Sequence, residues 1–270
     1  MKNTNMEQMR SNMLRSAQLK MLGILEEIDK LCKAHGISYW IEGGTLLGAM
    51  RHGGFIPWDD DLDISMLRHD YNRFVEIAAK ELPPHLLLQT SKTDPDFHRR
   101  ECKVRDLNSF IMDGGDDTSA NYQKGLFVDV FPYDEAPARW HSRMGRVAHG
   151  ITVATIVLDG VHRYSWRSVS QLLYFGISRP LLMGVWKAAR ALTANGKYIA
   201  IDPHFSWSSA IHLKENIFPL GEVEFEGKRF PAPANPDAYL TSLYGDWHKI
   251  PPKEKQQIHS MLILPELIPS

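Results

Sequence analysis

Four aspartates crowd into five positions of this chain, at Asp59, Asp60, Asp61 and Asp63. Two unit charges about 4 Å apart cost roughly 4 kcal/mol at an effective dielectric near 20, so these carboxylates repel one another strongly unless solvent or a cation screens them. A bound divalent cation would reduce this repulsion most directly, and a solvated acidic loop is the alternative. The flanking residues favour the cation, because apolar and aromatic side chains surround the acids.

The acids continue into a segment that alternates polar with apolar residues from Asp61 to Ile64, which predicts a strand with one buried face. Asp61 and Asp63 would then share a face, with Cα atoms about 6.6 Å apart, close enough for both carboxylates to hold one metal ion or bridge two. An EF-hand fits poorly, because Ile64 stands where its loop needs glycine and Asp70 where it needs glutamate. A sugar-nucleotide glycosyltransferase with an Asp-any-Asp metal site fits the acids alone equally well.

A glycine pair, Gly43 and Gly44, lies between a β-rich run over Ile37–Glu42 and a short helical pattern over Thr45–Met50. The pair predicts a strand-to-helix turn whose backbone N–H groups point at an anion, since glycine permits close approach of a phosphate group and a helix N-terminus favours negative charge. A glycine pair alone is more often only a turn. Its weight comes from the acids that follow, because they would bring the metal ion that a phosphate group needs.

The run from Gly43 to Ile64 resembles the signature of the LicD family, which includes the fukutin-related transferases and has a nucleotidyltransferase fold like that of DNA polymerase β. Gly125–Pro132 and Tyr239–Trp247 resemble later parts of the same family, so the resemblance covers most of the chain. It implies transfer of a phosphorylated alcohol, such as phosphocholine or ribitol phosphate, from a CDP-linked donor. The acceptor would be a hydroxyl group of a cell-surface glycan, such as lipopolysaccharide or capsule, or of its lipid-linked precursor.

The expected metal ligands and catalytic residues are Asp61, Asp63 and Asp129, with Mg²⁺ or Mn²⁺ as the cofactor. Asp129 stands alone in an apolar run, and a buried carboxylate costs several kcal/mol unless it is paired or bound to metal. The resemblance implies that Asp129 is the third metal ligand or the general base. On sequence grounds alone, a salt bridge to Lys103 or Arg105 would satisfy it equally well. Asp59 and Asp60 are expected in a second shell or an entry loop.

The donor phosphates are expected to meet two kinds of group, the turn at the helix start and a set of nearby cations. Lys103 and Arg105 lie on one face of the predicted strand Glu101–Asp106, where they are either phosphate ligands or exposed strand residues. The expected donor-binding residues are Gly43, Gly44, Thr45, Arg51, Lys103 and Arg105.

Composition and charge argue against some other functions, although composition alone excludes no fold class. The 270 residues carry 31 basic and 32 acidic side chains, so the net charge of −1 offers no broad positive field for nucleic acid. Cys32 and Cys102 are the two cysteines, and their spacing suggests neither a disulfide framework nor a zinc site. The polar start lacks the apolar core of a secretory signal, so a cytoplasmic location is expected.

The expected fold class is α+β, with a mixed sheet between Ile37 and Phe131 that is flanked by helices. A single catalytic domain is expected over residues 1–270, with its catalytic core over about residues 13–135 and a mainly helical C-terminal portion over residues 136–270.

Three further elements are predicted from periodicity and turn residues. Leu14–Ala34 and Arg68–Leu82 are expected to form helices, the first of them amphipathic and closed by His35 and Gly36. Gly221–Phe230 is expected to form a β-hairpin whose glutamates point outward into solvent.

The two most apolar stretches of the later chain, Ile151–Val161 and Leu172–Leu192, fall short of clean runs of about 20 apolar residues. They are expected to form helices that cover a sheet or pack on each other. Peripheral contact with the inner face of the membrane is the alternative, because lipid-linked glycans are plausible acceptors. A sugar-nucleotide glycosyltransferase, a nucleotidyltransferase and a non-catalytic glycan-binding protein remain alternative functions.

Overall fold

The computed structural model describes residues 2–97, 100, 102–113, 116, 120–138, 141–160, 162, 165–203 and 211–267. Glu101 and Val161, which belong to two of the predicted elements, lie outside the described residues. The described helices are α1 (Lys2–His35), α2 (Gly43–His52), α3 (Arg68–Glu81), α4 (His141–Asp159), α5 (Trp166–Thr193) and α6 (Pro236–Tyr244). The described strands are β1 (Trp40–Ile41), β2 (Asp63–Leu67), β3 (Leu86–Gln89), β4 (Cys102–Asp106), β5 (Phe110–Asp113), β6 (Phe127–Glu135), β7 (Tyr198–Ile201), β8 (Ile211–Leu213), β9 (Gly221–Phe225), β10 (Lys228–Ala232) and β11 (Ser260–Leu264).

Seven of these strands form one curled mixed sheet. Its central order is β1-β2-β6-β4-β3, and β7 continues from β6 with β8 beside it. Strands β2 and β6 run parallel, whereas β1, β4 and β7 pair antiparallel with their neighbours. The pairs β9 with β10 and β11 with β5 lie outside this sheet. The expected mixed sheet flanked by helices is confirmed, while its likeness to nucleotidyltransferases stays a prediction.

Helix α1 confirms the amphipathic helix and its stop signal. It buries Met21, Leu25 and Ile28 completely, and Gly36 follows its last residue with a φ of +59°, the left-handed conformation that glycine adopts most readily. The helix begins at Lys2, well before the predicted start. Residues 8–12 are exposed, so no apolar periodicity marks this first part of the helix.

The central sheet has one apolar face and one polar face, and both are buried. Alternation along β6 sends Val128 and Val130 to the apolar face and Asp129 and Tyr133 to the polar face. The apolar face joins the main core, whose aliphatic side chains come from helices and strands together. The polar face carries the predicted catalytic acids and therefore needs partners for each buried polar group.

The acidic strand starts later than predicted. Strand β2 begins at Asp63, so Asp61 lies in the incoming loop and does not share a strand face with Asp63. Leu62 still joins the ladder, because its carbonyl accepts a hydrogen bond from Asp129 N at 2.9 Å. Pairing with β6 sets this start, because Asp63 is the first residue of β2 that has a partner there, Asp129, and local alternation carries no information on that pairing.

The C-terminal portion also contributes strands, which the sequence analysis did not predict beyond the hairpin. Strand β6 continues through Pro132 to Glu135, past the predicted end of the sheet at Phe131. There it pairs with β7, and Asp202 N donates to Pro132 O at 3.1 Å. The sheet therefore extends beyond the range expected from Ile37 to Phe131.

The predicted hairpin is confirmed as β9 and β10. Glu222 and Glu224 are exposed as expected, but Glu226 in the turn is not a solvated residue. Its carboxylate accepts hydrogen bonds from Arg15 at 2.6 and 2.8 Å and from Phe55 N at 3.0 Å. The hairpin turn thus fastens the loop after α2 to α1.

Helices α4 and α5 confirm that the two apolar stretches pack on each other. Met144, Ala148 and Ile151 of α4 form a small cluster with Trp186 and Leu182 of α5, separate from the main core. In the part of the chain that the structure describes, no helix is both long enough and apolar enough to cross a membrane.

His212 of β8 provides a test of how this strand packs against α6. Its ring stacks on Tyr239 with 4.4 Å between centroids, its Nδ1 lies 2.9 Å from Ser242 Oγ, and burial lowers its pKa to about 4. A histidine in the unfolded chain titrates near 6.5, so the unfolded state takes up the proton first as the pH falls. The free energy of unfolding should therefore decrease between pH 6.5 and pH 4, by up to about 3 kcal/mol from this residue.

Urea titrations at several pH values in this window measure the effect. The His212→Phe variant keeps an aromatic ring but cannot titrate, so its stability should depend less steeply on pH. Identical pH slopes in the two proteins would contradict the prediction.

Candidate active site

One row of side chains crosses the polar face of the sheet at the predicted acids. Asp129 of β6 has Asp63 of β2 as its parallel partner and Lys103 of β4 as its antiparallel partner. Glu42 extends the row beyond β1, where its N–H donates to Asp63 O at 3.0 Å. All four residues are buried, and adjacent strands lie about 4.8 Å apart. The row therefore gathers three carboxyl groups and one ammonium group, and we call it the acid row.

Lys103 and Asp129 form a buried ion pair. Lys103 Nζ lies 2.7 and 2.8 Å from the two carboxylate oxygens of Asp129 and 3.7 Å from the centroid of the Phe127 ring. This is the salt bridge that the sequence left open as an alternative. Lys103 is 6% exposed, so the expectation of an exposed strand residue is wrong for it. The metal and general-base roles of Asp129 stay predictions.

Burial and mutual repulsion act together on the acids. Burial raises the pKa of Asp63 well above its ordinary value, and the charges of Asp61, Asp129 and Asp59 raise it further. Burial and the charge of Asp60 raise the pKa of Asp61. Burial and Asp61 bring the pKa of Asp59 to about 9. Without a cation, part of this cluster therefore holds protons at neutral pH.

The donor set suits Mg²⁺ or Mn²⁺ in kind, because carboxylate oxygens are the hard ligands that these ions prefer. A divalent ion would also relieve the repulsion that raises the pKa of Asp63. Among the residues that the structure describes, no three His, Cys, Asp or Glu side chains form a group that could hold a metal ion as they stand. Metal binding by Asp61, Asp63 and Asp129 stays a prediction.

Helix α2 begins at Gly43, directly after β1, as the glycine pair predicted. Gly43 has a φ of +51°, and a Cβ atom at Gly44 would lie 3.1 Å from Asp59 Oδ2. The acidic loop therefore packs closely on the start of the helix. Thr45 Oγ1 accepts a hydrogen bond from Asp63 N at 2.9 Å. These residues position the acids, and their binding of a donor phosphate stays a prediction.

The two arginines expected to bind the donor contact the chain itself. Arg51 Nη1 donates to Trp247 O at 3.0 Å and joins the end of α2 to the segment after α6. Arg105 is 4% exposed, where its Nη1 donates to Gly125 O at 2.6 Å and its Nε donates to Gln89 Oε1. Arg105 is therefore not an exposed strand residue. No observation tests donor binding by either arginine.

Two partners from other parts of the chain hold the acidic loop, which carries Asp59, Asp60 and Asp61. Asp60 is buried, and its Oδ2 accepts a hydrogen bond from Ser260 N at 2.6 Å, where β11 begins. Gln18 of α1 donates from Nε2 to Asp59 O at 2.9 Å and to Ile56 O at 3.2 Å. The loop is thus fixed between α1 and the C-terminal strand, and sequence spacing does not reveal either partner.

Glu42 is a site residue that the sequence analysis missed. It is fully buried, and its Oε1 accepts hydrogen bonds from Tyr133 and Tyr239, both at 2.7 Å. Burial raises the pKa of its carboxyl group, and the hydrogen bonds from the tyrosines oppose that rise. The sequence signal is weak, because Glu42 only ends a β-rich run and its partners are 91 and 197 residues away.

Tyr244 is a second missed residue at the edge of the acid row. Burial raises its pKa first, and the charges of Asp63, Glu42, Asp59 and Asp61 raise it further. Its side chain is nevertheless partly exposed, so its ring reaches from the acids to solvent.

Comparisons with known proteins find sequence matches over the residues of this site. The model of the LicD/FKTN/FKRP nucleotidyltransferase domain family matches residues 36–150, which include the whole acid row. Over 267 residues, the chain is 30% identical to the lipopolysaccharide cholinephosphotransferase LicD of Haemophilus influenzae, and the match covers 91% of this chain and 95% of that protein.

Shorter similarities extend to other organisms. The human ribitol 5-phosphate transferase FKRP is 40% identical over 68 residues, which cover 25% of this chain and 12% of that protein. An uncharacterized protein of Rickettsia prowazekii, RP689, is 48% identical over 94 residues, which cover 35% of this chain and 34% of that protein. The match to the Haemophilus protein is therefore the one of these three that spans nearly the whole chain.

The support that Glu42 gives to the site can be tested by two substitutions. Glu42→Gln keeps an acceptor oxygen for Tyr133 and Tyr239, whereas Glu42→Ala leaves both hydroxyls without it and opens a cavity. We expect a loss of about 3–5 kcal/mol in the free energy of unfolding for Ala and less than about 1.5 kcal/mol for Gln.

Urea denaturation measures both losses. Tyr133→Phe and Tyr239→Phe are the matched controls, because each removes one hydrogen bond and should cost about 1 kcal/mol. Equal losses for the Gln and Ala variants would show that the acceptor oxygen is not what matters.

Proposed function

Because this chain belongs to the LicD family, we propose that it transfers a phosphorylated alcohol from a CDP-linked donor to a hydroxyl group of a glycan. The observation that carries the proposal is the 30% identity, along 91% of the chain, to a cholinephosphotransferase. The shorter match to a ribitol 5-phosphate transferase supports the same type of reaction. We propose phosphocholine or ribitol phosphate as the transferred group. The proposed acceptor is lipopolysaccharide, capsule or a lipid-linked precursor on the cytoplasmic side of the membrane.

In the proposed reaction, the acceptor hydroxyl oxygen attacks the donor phosphorus that carries the alcohol. A new P–O bond forms as the bond from that phosphorus to the bridging oxygen breaks. CMP leaves with the bridging oxygen and its electron pair, and the hydroxyl proton passes to a base. Such reactions are accelerated mainly by positioning and by stabilisation of charge on the phosphoryl oxygens.

The acid row and the start of α2 divide these tasks. Asp61 and Asp63 would hold Mg²⁺ or Mn²⁺, which supplies positive charge for the donor diphosphate. Asp129 lies beside Asp63 and is the proposed base or third metal ligand. Gly43 and Gly44 form the first turn of α2, and their backbone N–H groups are the proposed phosphate cradle.

The cations have different proposed roles. Lys103, whose Nζ lies 2.8 Å from Asp129 Oδ2, is proposed to share its charge between that carboxylate and a donor phosphate. Arg51 is a candidate donor contact at the end of α2. Arg105, buried against Gly125 and Gln89, would act on the donor only indirectly, by holding β4 in place.

Product identity tests the proposed reaction. With CDP-choline, CDP-ribitol and CDP-glycerol as trial donors in Mg²⁺, this function requires release of CMP. A sugar-nucleotide glycosyltransferase would release a nucleoside diphosphate, and a nucleotidyltransferase would release pyrophosphate from CTP or ATP. A non-catalytic glycan-binding protein would release none of these. Pyrophosphate from a triphosphate, with no CMP from any CDP-alcohol, would overturn the proposal.

The same assay tests the metal site. Asp63→Asn should reduce CMP release to background while the protein stays folded, because it removes a hard ligand from the centre of the acid row. EDTA should have the same effect on the unmodified chain. The matched control is Glu224→Gln, which changes an exposed carboxylate of the hairpin and should keep full activity. Full activity in Asp63→Asn, or in EDTA, would contradict a metal-dependent mechanism.

Asp129 can be tested by one variant with three measurements. If it acts on the acceptor hydroxyl, Asp129→Asn should lower kcat at least about a hundredfold and change donor affinity only a few-fold. If it only neutralises Lys103, the variant should lose several kcal/mol of stability and bind donor more weakly, because a buried ammonium group would lack its partner. Melting temperature, donor affinity and kcat separate the two. A destabilised protein with near-normal kcat per folded molecule would rule out the catalytic role.

A further inference from the structure

Helix α5 turns a large apolar surface toward solvent. Six of its apolar side chains are between 63% and 90% exposed, which is far more than the core-facing side of a packed helix shows. They are Trp166, Leu173, Tyr174, Ile177, Leu181 and Leu192. We call this set the α5 stripe.

The stripe is one continuous face and not a scatter of single residues. Steps of four residues from Leu173 to Ile177 and on to Leu181, and of seven from Trp166 to Leu173, match the 3.6-residue turn. The set therefore lies within an arc of about 100° on the helix. The opposite side of α5 buries Trp186 against α4. The helix is thus apolar on two sides. One side packs against α4, and the other, the α5 stripe, is exposed.

Charge is segregated in the same region. Helices α4 and α5 together carry six arginine or lysine side chains and one carboxylate, Asp159, whereas the whole chain has a net charge of −1. Helix α5 itself contains no acidic residue. At 100° per residue, Arg167 and Lys187 border the stripe on its two sides, and both are exposed. The apolar face is therefore framed by positive charge.

An anionic bilayer surface is the occupant that fits these features best. A second copy of the chain would bring the same positive frame against itself, and like charges disfavour that contact. Cationic side chains beside apolar and aromatic ones are typical of helices that lie in the headgroup region, and Trp166 and Tyr174 belong to the residue types enriched there. Helix α5 is about 42 Å long, so its stripe would lie along the membrane plane.

We propose that the α5 stripe binds the surface of a bilayer that contains anionic phospholipid. The contact goes beyond the transfer reaction and does not depend on it, since none of the stripe residues belongs to the acid row. It would hold the chain at the surface where a lipid-linked acceptor is displayed. Anionic lipid headgroups would be recognised by Arg167 and Lys187, and the bilayer interface would cover the apolar side chains.

Co-sedimentation of the full chain with vesicles tests the proposal. Vesicles of phosphatidylcholine with one quarter phosphatidylglycerol should bind the chain at least about tenfold more tightly than phosphatidylcholine alone, and added salt should weaken the binding. The double variant Leu173→Glu/Ile177→Glu should reduce binding at least about tenfold. Leu19→Glu, at an apolar position of α1 that is 49% exposed and lies outside the stripe, is the control and should bind like the unmodified chain.

A second variant tests the same contact without introducing glutamates, in case these disturb folding. Arg167→Gln/Lys187→Gln leaves the apolar side chains in place and should remove most of the preference for anionic vesicles. Circular dichroism and melting temperature verify that each variant is folded. CMP release with a water-soluble acceptor should be unchanged in all of them, so failure of the membrane contact and failure of the transferase function remain distinguishable.

Three results would overturn the proposal. The first is an unmodified chain that binds neither kind of vesicle. The second is a stripe variant that binds as well as the Leu19→Glu control. The third is a concentration-dependent dimer that the stripe variant abolishes, because this would assign the face to a second copy of the chain.

Discussion

The balance of charge along the acid row is the constraint on which the site depends. Glu42, Asp63 and Asp129 lie side by side on a buried face, and Lys103 ends the row with one positive charge. Burial alone would favour protonated carboxyl groups, and neighbouring negative charges strengthen that tendency. The row therefore stores electrostatic free energy that a bound cation would release. A chain selected only for stability would have apolar side chains here.

Several elements of the surrounding structure pack around this row. Helix α2 starts beside it because glycine at its first positions lets the acidic loop pack against the helix end. The loop between α2 and β2 is held by Gln18 of α1, Ser260 of β11 and the hairpin turn at Glu226. Helix α6 closes the polar face through Tyr239, whose hydroxyl donates to Glu42. Segments from both ends of the chain therefore meet at one site.

Helices α4 and α5, which lie between these segments in the sequence, are set apart from the acid row. Helices α4 and α5 pack mainly on each other, and their small cluster is separate from the main core. An element that contributes so little to the main core is free to vary its outer face without disturbing the acid row. The α5 stripe and the proposed catalytic groups therefore belong to separate parts of the structure. The stripe is an exposed apolar surface, whereas the catalytic groups are buried and charged.

Local sequence determined much of this protein. Apolar periodicity and the stop signal at Gly36 indicated α1, and the glycine pair indicated the start of α2. Alternation indicated the strand that carries Asp63, and an apolar run marked the segment that carries Asp129. These features depend on residues a few positions apart, so they can be read without knowing the fold. The family resemblance was also present in three segments of the sequence, and the comparison with a relative that matches 91% of the chain confirmed it.

Tertiary structure alone decided which of these groups meet. Strand register placed Asp63 beside Asp129 and Lys103 beyond it, and strand pairing moved the start of β2 past Asp61. It also gave Glu42 two tyrosine partners from distant segments. Periodicity specifies which side of a strand a residue occupies, but it does not specify the neighbouring strand or its register. Those are set by packing of the whole chain, which is why the sequence indicated the acids but left Lys103 as one of two possible partners of Asp129 and gave no partner for Glu42.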